Sequence, residues 1–169
     1  MAEKSIRDAL AAALLKRPAA VAQLHGSALA PELSATVWFF PFLEGTLVAV
    51  QAKGLPDHVP AVLDRQPIGP FGFHIHEGGT CGIDMTNGAF KSAGEHYNPT
   101  KTYHPEHAGD LPVLFSNNGE CVMAVYTNRF KPTDVVGRTV IIHQNPDDFR
   151  TQPSGNAGVR IACGVIEKA

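Results

Sequence analysis

Eight short runs rich in β-branched and aromatic residues, with no helical stretch between them, confine most of this 169-residue chain to an all-β architecture. In order they read "AAVAQLHG", "LSATVWFF", "GTLVAVQAKG", "FGFHIHE", "LPVLFS", "ECVMAVYT", "RTVIIH" and "NAGVRIACGVI". The 16 glycines and 13 prolines supply the turns that such a series needs. Between the fifth and sixth runs, "SNNGE" carries an Asn-Gly pair suited to a hairpin turn with positive φ. Eight antiparallel strands of this kind close into a barrel or pack as a sandwich. Two segments are too long for simple connections, Gly78–Asp110 and Gln144–Asn156. Loops of that length in a compact β-domain are as a rule functional or disordered.

Ahead of the strands, residues 5–16, "SIRDALAAALLK", read as one short amphipathic helix. Ser5 is its N-cap, Asp8 follows three residues on, and Ile6, Leu10, Ala13 and Leu14 share a face. Residues 1–17 are therefore expected to be a helical extension of a domain spanning 18–169, with Pro18 ending the helix. A net charge of −2 offers no basic stripe for phosphates, so nucleic acid is not an expected partner. No run of about 18 apolar residues exists to span a membrane, so no membrane partner is expected either. Asp8 and the "LLKRP" break are unlike the uninterrupted apolar core of a secretory signal. The expectation is a cytoplasmic chain, or a periplasmic or extracellular one if a signal has been removed. Cys81, Cys121 and Cys163 form no Cys-x-x-Cys pair, and in a reducing compartment three free thiols are the default.

Six of the eight histidines cluster: His74, His76, His96, His104, His107 and His143. His25 and His58 stand apart and read as surface or packing residues. Alternate residues of a strand share a face, so His74 and His76 project together with Ile75 opposite, and two such imidazoles can grip one metal ion. His96, His104, His107 and Asp110 lie within fifteen residues of each other. Three imidazoles and a carboxylate without a thiolate suit tetrahedral zinc; a merely histidine-rich polar loop is the plainer alternative. "HQNPDD" then adds His143 at a strand end, and its acids suit the orientation of liganding imidazoles from behind.

Taken together, "GFHIHE", "SAGEHYNP", "HAGDLP", "GRTVIIH", "DD" and "GNAGVRIACGVI" resemble, in order, the motifs of copper–zinc superoxide dismutase, from about Phe71 to Ile166. The resemblance implies an eight-stranded antiparallel Greek-key β-barrel with two long functional loops. It implies copper on His74, His76, His96 and His143, and zinc on His96, His104, His107 and Asp110, with His96 bridging the two metals. It further implies that Asp147 links His74 to His104, that Arg160 sits beside the copper and attracts the substrate anion, and that Cys81 pairs with Cys163. That pairing replaces the expectation of three free thiols; Cys121 then reads as a buried structural thiol. The implied activity is dismutation of superoxide to dioxygen and hydrogen peroxide, with His96 as proton carrier. Family members occur as monomers and as dimers, so a homodimer is one assembly to expect.

Some segments depart from the family pattern. The stretch between His76 and His96 is longer than in the familiar animal enzymes, and only two residues separate His104 from His107. After Asp148, "FRTQPSG" lacks the acids and lysines of a longer electrostatic loop. Attraction of the anion is therefore expected to rest on Arg160, helped by Arg150. A copper carrier on the same fold, or a structural zinc domain, would each use part of this set; the complete ligand set favours the enzyme.

Overall fold

A computed structural model of the protein describes residues 5–84 and 88–169. Helix α1 (Ile6–Leu14) precedes β1 (Ala20–Gly26), β2 (Ser34–Phe42), β3 (Gly45–Lys53) and β4 (Phe71–His76). Two short strands follow, β5 (Ile83–Asp84) and β6 (Gly88–Ala89), then β7 (Asp110–Leu114), β8 (Cys121–Thr127), β9 (Thr139–His143) and β10 (Arg160–Lys168). Every one of the eight runs forms a strand. The long segment from Gly78 is less irregular than expected, since it holds the β5–β6 ladder and a 3-10 turn at Lys91–Ala93, and Asp110 already belongs to β7.

The eight longer strands make one antiparallel sheet in the order β7-β4-β9-β10-β1-β2-β3-β8. Its two edge strands, β7 and β8, are consecutive in the chain, so the sheet curls into a nearly closed barrel. Bringing β4 between β7 and β9, and β10 beside β1, requires the crossovers of a Greek key. The turn joining β7 to β8 holds Asn118 at φ 53° and Gly119 at φ 82°, as its Asn-Gly pair requires.

Alternation along the strands places Phe39, Phe71, Phe73, Ile75, Leu114 and Ile142 in the barrel core, essentially without solvent exposure. Burying a side chain of this size stabilises the fold by about 1.5–3 kcal/mol. All six residues of β4 are buried because both of its faces are covered: the core on one side, the long loops on the other. Helix α1 begins where Ser5 caps it, its hydroxyl accepting from the Asp8 amide, and ends at Leu14. Its expected apolar face is only partly correct. Ala9 and Ala13 seat the helix on Trp38, Phe40 and Phe42, whereas Ile6 and Leu14 remain 66% and 44% exposed. The aromatic residues of β2 supply the bulk at this contact, and small alanines let the helix approach them.

A disulfide joins Cys81 to Cys163, tying the segment after β4 to β10. Cys121 is buried and free, and burial pushes its thiol pKa up, consistent with an inert packing role.

Candidate metal centre

Strand register assembles the site. His74 lies opposite Asp110 on β7 and Ile141 on β9, while His76 lies opposite Thr139 and bridges to His96. His143 ends β9 facing Arg160 on β10, where the register shifts before Ala162. A bulge of this kind re-aims a side chain beside a site. Strand alternation thus turns His74 and His76 away from the core together, with Ile75 packed inside.

Two groups of four result, and in each the potential ligand atoms lie within 4.8 Å of one another: His74, His76, His96 and His143, and then His96, His104, His107 and Asp110. All seven residues are buried. His96 belongs to both groups.

For His74, His76, His104 and His143 the hydrogen bonds decide which nitrogen of the ring faces inward. A carbonyl or carboxylate can only accept, so the ring nitrogen meeting it carries the proton and leaves the other with its lone pair. His74 donates from Nε2 to Asp147 at 2.8 Å, so Nδ1 faces the group. His76 donates from Nδ1 to the Gly94 carbonyl at 2.9 Å, and His143 donates from Nδ1 to Gly158 at 3.3 Å. Their Nε2 atoms then face each other at 3.2 Å as two acceptors. In the second group His104 donates from Nε2 to Asp147 at 2.8 Å, and its Nδ1 lies 3.0 Å from Asp110 Oδ2. His107 Nδ1 lies 3.2 Å from the same oxygen, and His96 Nδ1 meets Asp110 Oδ1 at 2.7 Å.

Lone pairs converging on lone pairs are a donor set for cations. Four inward nitrogens, His74 Nδ1, His96 Nε2, His104 Nδ1 and His107 Nδ1, are buried without a hydrogen-bond partner, a costly state unless a metal takes the lone pair. Four imidazole nitrogens suit copper, and three with one carboxylate oxygen suit tetrahedral zinc. The residues fit both ions. Electrostatics agree, because burial first, then the neighbouring imidazoles, lowers the pKa of His74 and His76 well below the ordinary histidine value. His143 is held at about 3, chiefly by burial. Burial alone would raise the Asp110 pKa, but the hydrogen bond and charge of His96 outweigh it and keep the carboxylate ionised. All four groups are thus held in the form that binds a cation.

Arg160 flanks the first group. Its guanidinium donates to the Phe90 and Gly94 carbonyls, each at 2.6 Å, and partial burial lowers its pKa. The Gly94 carbonyl therefore serves His76 and Arg160 at once. Gly94 stands at φ 72°, ψ −153°, a region that residues with a side chain avoid, and this aims its carbonyl at both.

The structure brings His74, His76, His96, His104, His107, Asp110 and His143 together, and Asp147 accepts from both His74 and His104. Arg150 is exposed, and its side chain makes no hydrogen bond among the described residues. Sequence reasoning missed several supports. The Arg129 guanidinium donates to the Pro105 and His107 carbonyls at 3.0 and 3.1 Å, and the Gln152 amide engages the backbone of His104. Both act on backbone atoms, which leave no residue pattern to read.

A Greek-key barrel whose outer face carries two adjoining metal-ligand groups sharing one histidine defines a binuclear metalloprotein. The chain belongs to the copper/zinc superoxide dismutase family, whose model matches residues 43–166. It is 33% identical over 153 residues to a Cu-Zn superoxide dismutase of Deinococcus radiodurans, covering 80% of this chain and 78% of that one. It is 37% identical to Cu-Zn superoxide dismutase 2 of Aquifex aeolicus, with 72% of each chain covered. Among solved structures, the Cu/Zn superoxide dismutase from Brucella abortus superposes with a TM-score of 0.67 at 27% identity. That match covers 87% of this chain and 98% of the other.

Proposed function

We infer that this protein is a copper- and zinc-dependent superoxide dismutase. The observation that carries the reading is His96, which turns one ring nitrogen into each of two buried ligand groups. In the reaction two superoxide ions and two protons become one dioxygen and one hydrogen peroxide, one superoxide losing the electron that the other gains. His74, His76, His96 and His143 would hold copper; His96, His104, His107 and Asp110 would hold zinc. Bound copper supplies the one-electron couple, and bound zinc a fixed positive charge.

The chain's own groups do the rest. His96 would hold or yield a proton at Nε2, the nitrogen it turns to the first group, while Nδ1 stays with the second group beside Asp110, so the proton is presented in one direction only. Asp147 accepts from both His74 and His104 and locks one ring of each group against rotation. Arg160 draws the anion to the first group; its tether to the Phe90 and Gly94 carbonyls fixes the charge beside His76 and His143.

An oxidising compartment, periplasmic or extracellular, is favoured by the Cys81–Cys163 cross-link and by a fly relative at 39% identity named as an extracellular enzyme. The expectation of a cytoplasmic chain gains no such support.

Metal analysis of purified protein reconstituted with copper and zinc, together with superoxide turnover, tests the assignment. Near-equal copper and zinc with fast turnover is the expected result. Zinc binding alone, or copper without turnover, would sink it. An Arg160→Ala variant should turn over more slowly and lose part of its salt dependence.

A further inference from the structure

Between Asp148 and Gly155 the chain folds into a tight turn that spends its polar groups on itself. The Asp148 amide donates to the Gly155 carbonyl at 2.9 Å and the Gly155 amide to Thr151 at 2.7 Å. The Asp148 carboxylate accepts from the amides of Arg150 and Thr151 and from the Thr151 hydroxyl. One side chain of the turn reaches elsewhere. Gln152 Oε1 accepts from the His104 amide at 3.0 Å, and Gln152 Nε2 donates to the His104 carbonyl at 2.6 Å.

A single primary amide therefore satisfies both backbone polar groups of one residue, as a neighbouring strand would. No other hydrogen bond among the described residues reaches either group of His104. The ring of the same residue is held separately, through Nε2 on Asp147, which belongs to the same 144–158 segment. We propose that Gln152 is a positioning residue for His104: it fixes the backbone from which the ring projects, while Asp147 fixes the ring's rotation. This rests on His104 being a zinc ligand.

The charge of the segment supports the same role. Residues 144–158 contain two aspartates, Asp147 and Asp148, and one arginine, Arg150, a net charge of −1. A segment with that balance does not attract an anion to the neighbouring site. Its hydrogen bonds instead run to a residue of the second ligand group. In this chain the short segment between β9 and β10 holds the zinc side in place and leaves attraction of substrate to Arg160.

The chemistry demands a glutamine. Asparagine is one methylene too short to span both groups; glutamate keeps the acceptor for the amide but sets a carboxylate against the His104 carbonyl; methionine keeps the volume and neither bond.

Cobalt(II) titration of the metal-free full chain tests this, read by the visible bands of the tetrahedral ion and by competition with zinc. Gln152→Ala and Gln152→Met should each bind cobalt and zinc about tenfold more weakly and shift the cobalt bands, since losing an outer support of a ligand weakens binding by about 10–100-fold. Ser154→Ala, in the same turn but without a hydrogen bond to His104 among the described residues, should match the wild type. The metal-free Gln152 variants should lose some stability, because both backbone groups of His104 go unpaired, but a shift of the cobalt bands is a readout that destabilisation alone would not move. Wild-type affinity and spectrum in both Gln152 variants would overturn the role of Gln152 while leaving the zinc site standing. Absence of a tetrahedral cobalt spectrum in the wild type would overturn that site and this inference with it.

Discussion

Asp147 shows how one side chain decides the state of two rings. Its carboxylate accepts from His74 Nε2, His104 Nε2 and the Phe149 amide, at 2.8, 2.8 and 2.7 Å. An amide in its place offers one acceptor oxygen and one donor, so at least one ring loses its proton acceptor and is free to present the wrong nitrogen. Asp147→Asn should therefore weaken zinc and copper binding by about 10–100-fold while the barrel stays folded. Chelator competition measures this, and wild-type affinities would contradict it. Gly155 guards the same carboxylate. It stands at φ 66°, and a Cβ there would overlap Asp147 Oδ1 and crowd His104 Nε2. Gly155→Ala combines backbone strain of about 1–2 kcal/mol with displacement of Asp147. The expected result is a lowered melting temperature together with lost zinc affinity; unchanged zinc binding would show that the carboxylate moves without consequence.

Among the elements, the segment from Gly78 to Gly94 depends most on a single link. It carries the Phe90 and Gly94 carbonyls that hold Arg160 and His76, and Cys81 ties it to β10 across 82 residues of sequence. In the chain-entropy description, closing a loop of that length stabilises the fold by about 4 kcal/mol. A Cys81→Ser, Cys163→Ser variant should lose roughly that much in denaturant titration and should bind copper less tightly, because the carbonyls behind His76 and Arg160 are no longer pinned. A loss of stability without any effect on copper would mean that Phe90, Ala93 and Ile141 hold the segment by packing alone. The eight longer strands are legible in the sequence, since β-branched and aromatic runs bounded by turn residues mark them, although β10 begins only at Arg160, four residues into its run. His74 and His76 are legible for the same reason, as alternate residues of one strand. The choice of inward nitrogen is not, because it depends on Gly94, Asp147 and Gly158, which are remote in sequence and in two cases act through backbone. The seat of α1 is likewise hidden: a pattern of large apolar residues points to Ile6 and Leu14, yet the bulk at that contact comes from Phe40 and Phe42 on the sheet.

At the scale of the whole molecule, a barrel that buries its ligand histidines makes its own stability depend on pH before any metal is bound. In the folded chain the His143 pKa is lowered from 6.5 to about 3, and His74 and His76 are also lowered, in each case mainly by burial. Once unfolded, the same rings take up protons near 6.5. Between those values the unfolded chain binds more protons than the folded one, so stability rises with pH across that window. The contribution of these groups is fully present above the unfolded value and is lost progressively as pH falls toward the folded one. Metal-free protein should accordingly show a lower urea midpoint at about pH 5 than at about pH 7.5, with no further gain from these groups at higher pH. Equal midpoints would mean that the native rings take up protons as readily as the unfolded ones. The inward nitrogens would then meet solvent, and a site that must exclude protons to accept metal would not be preformed.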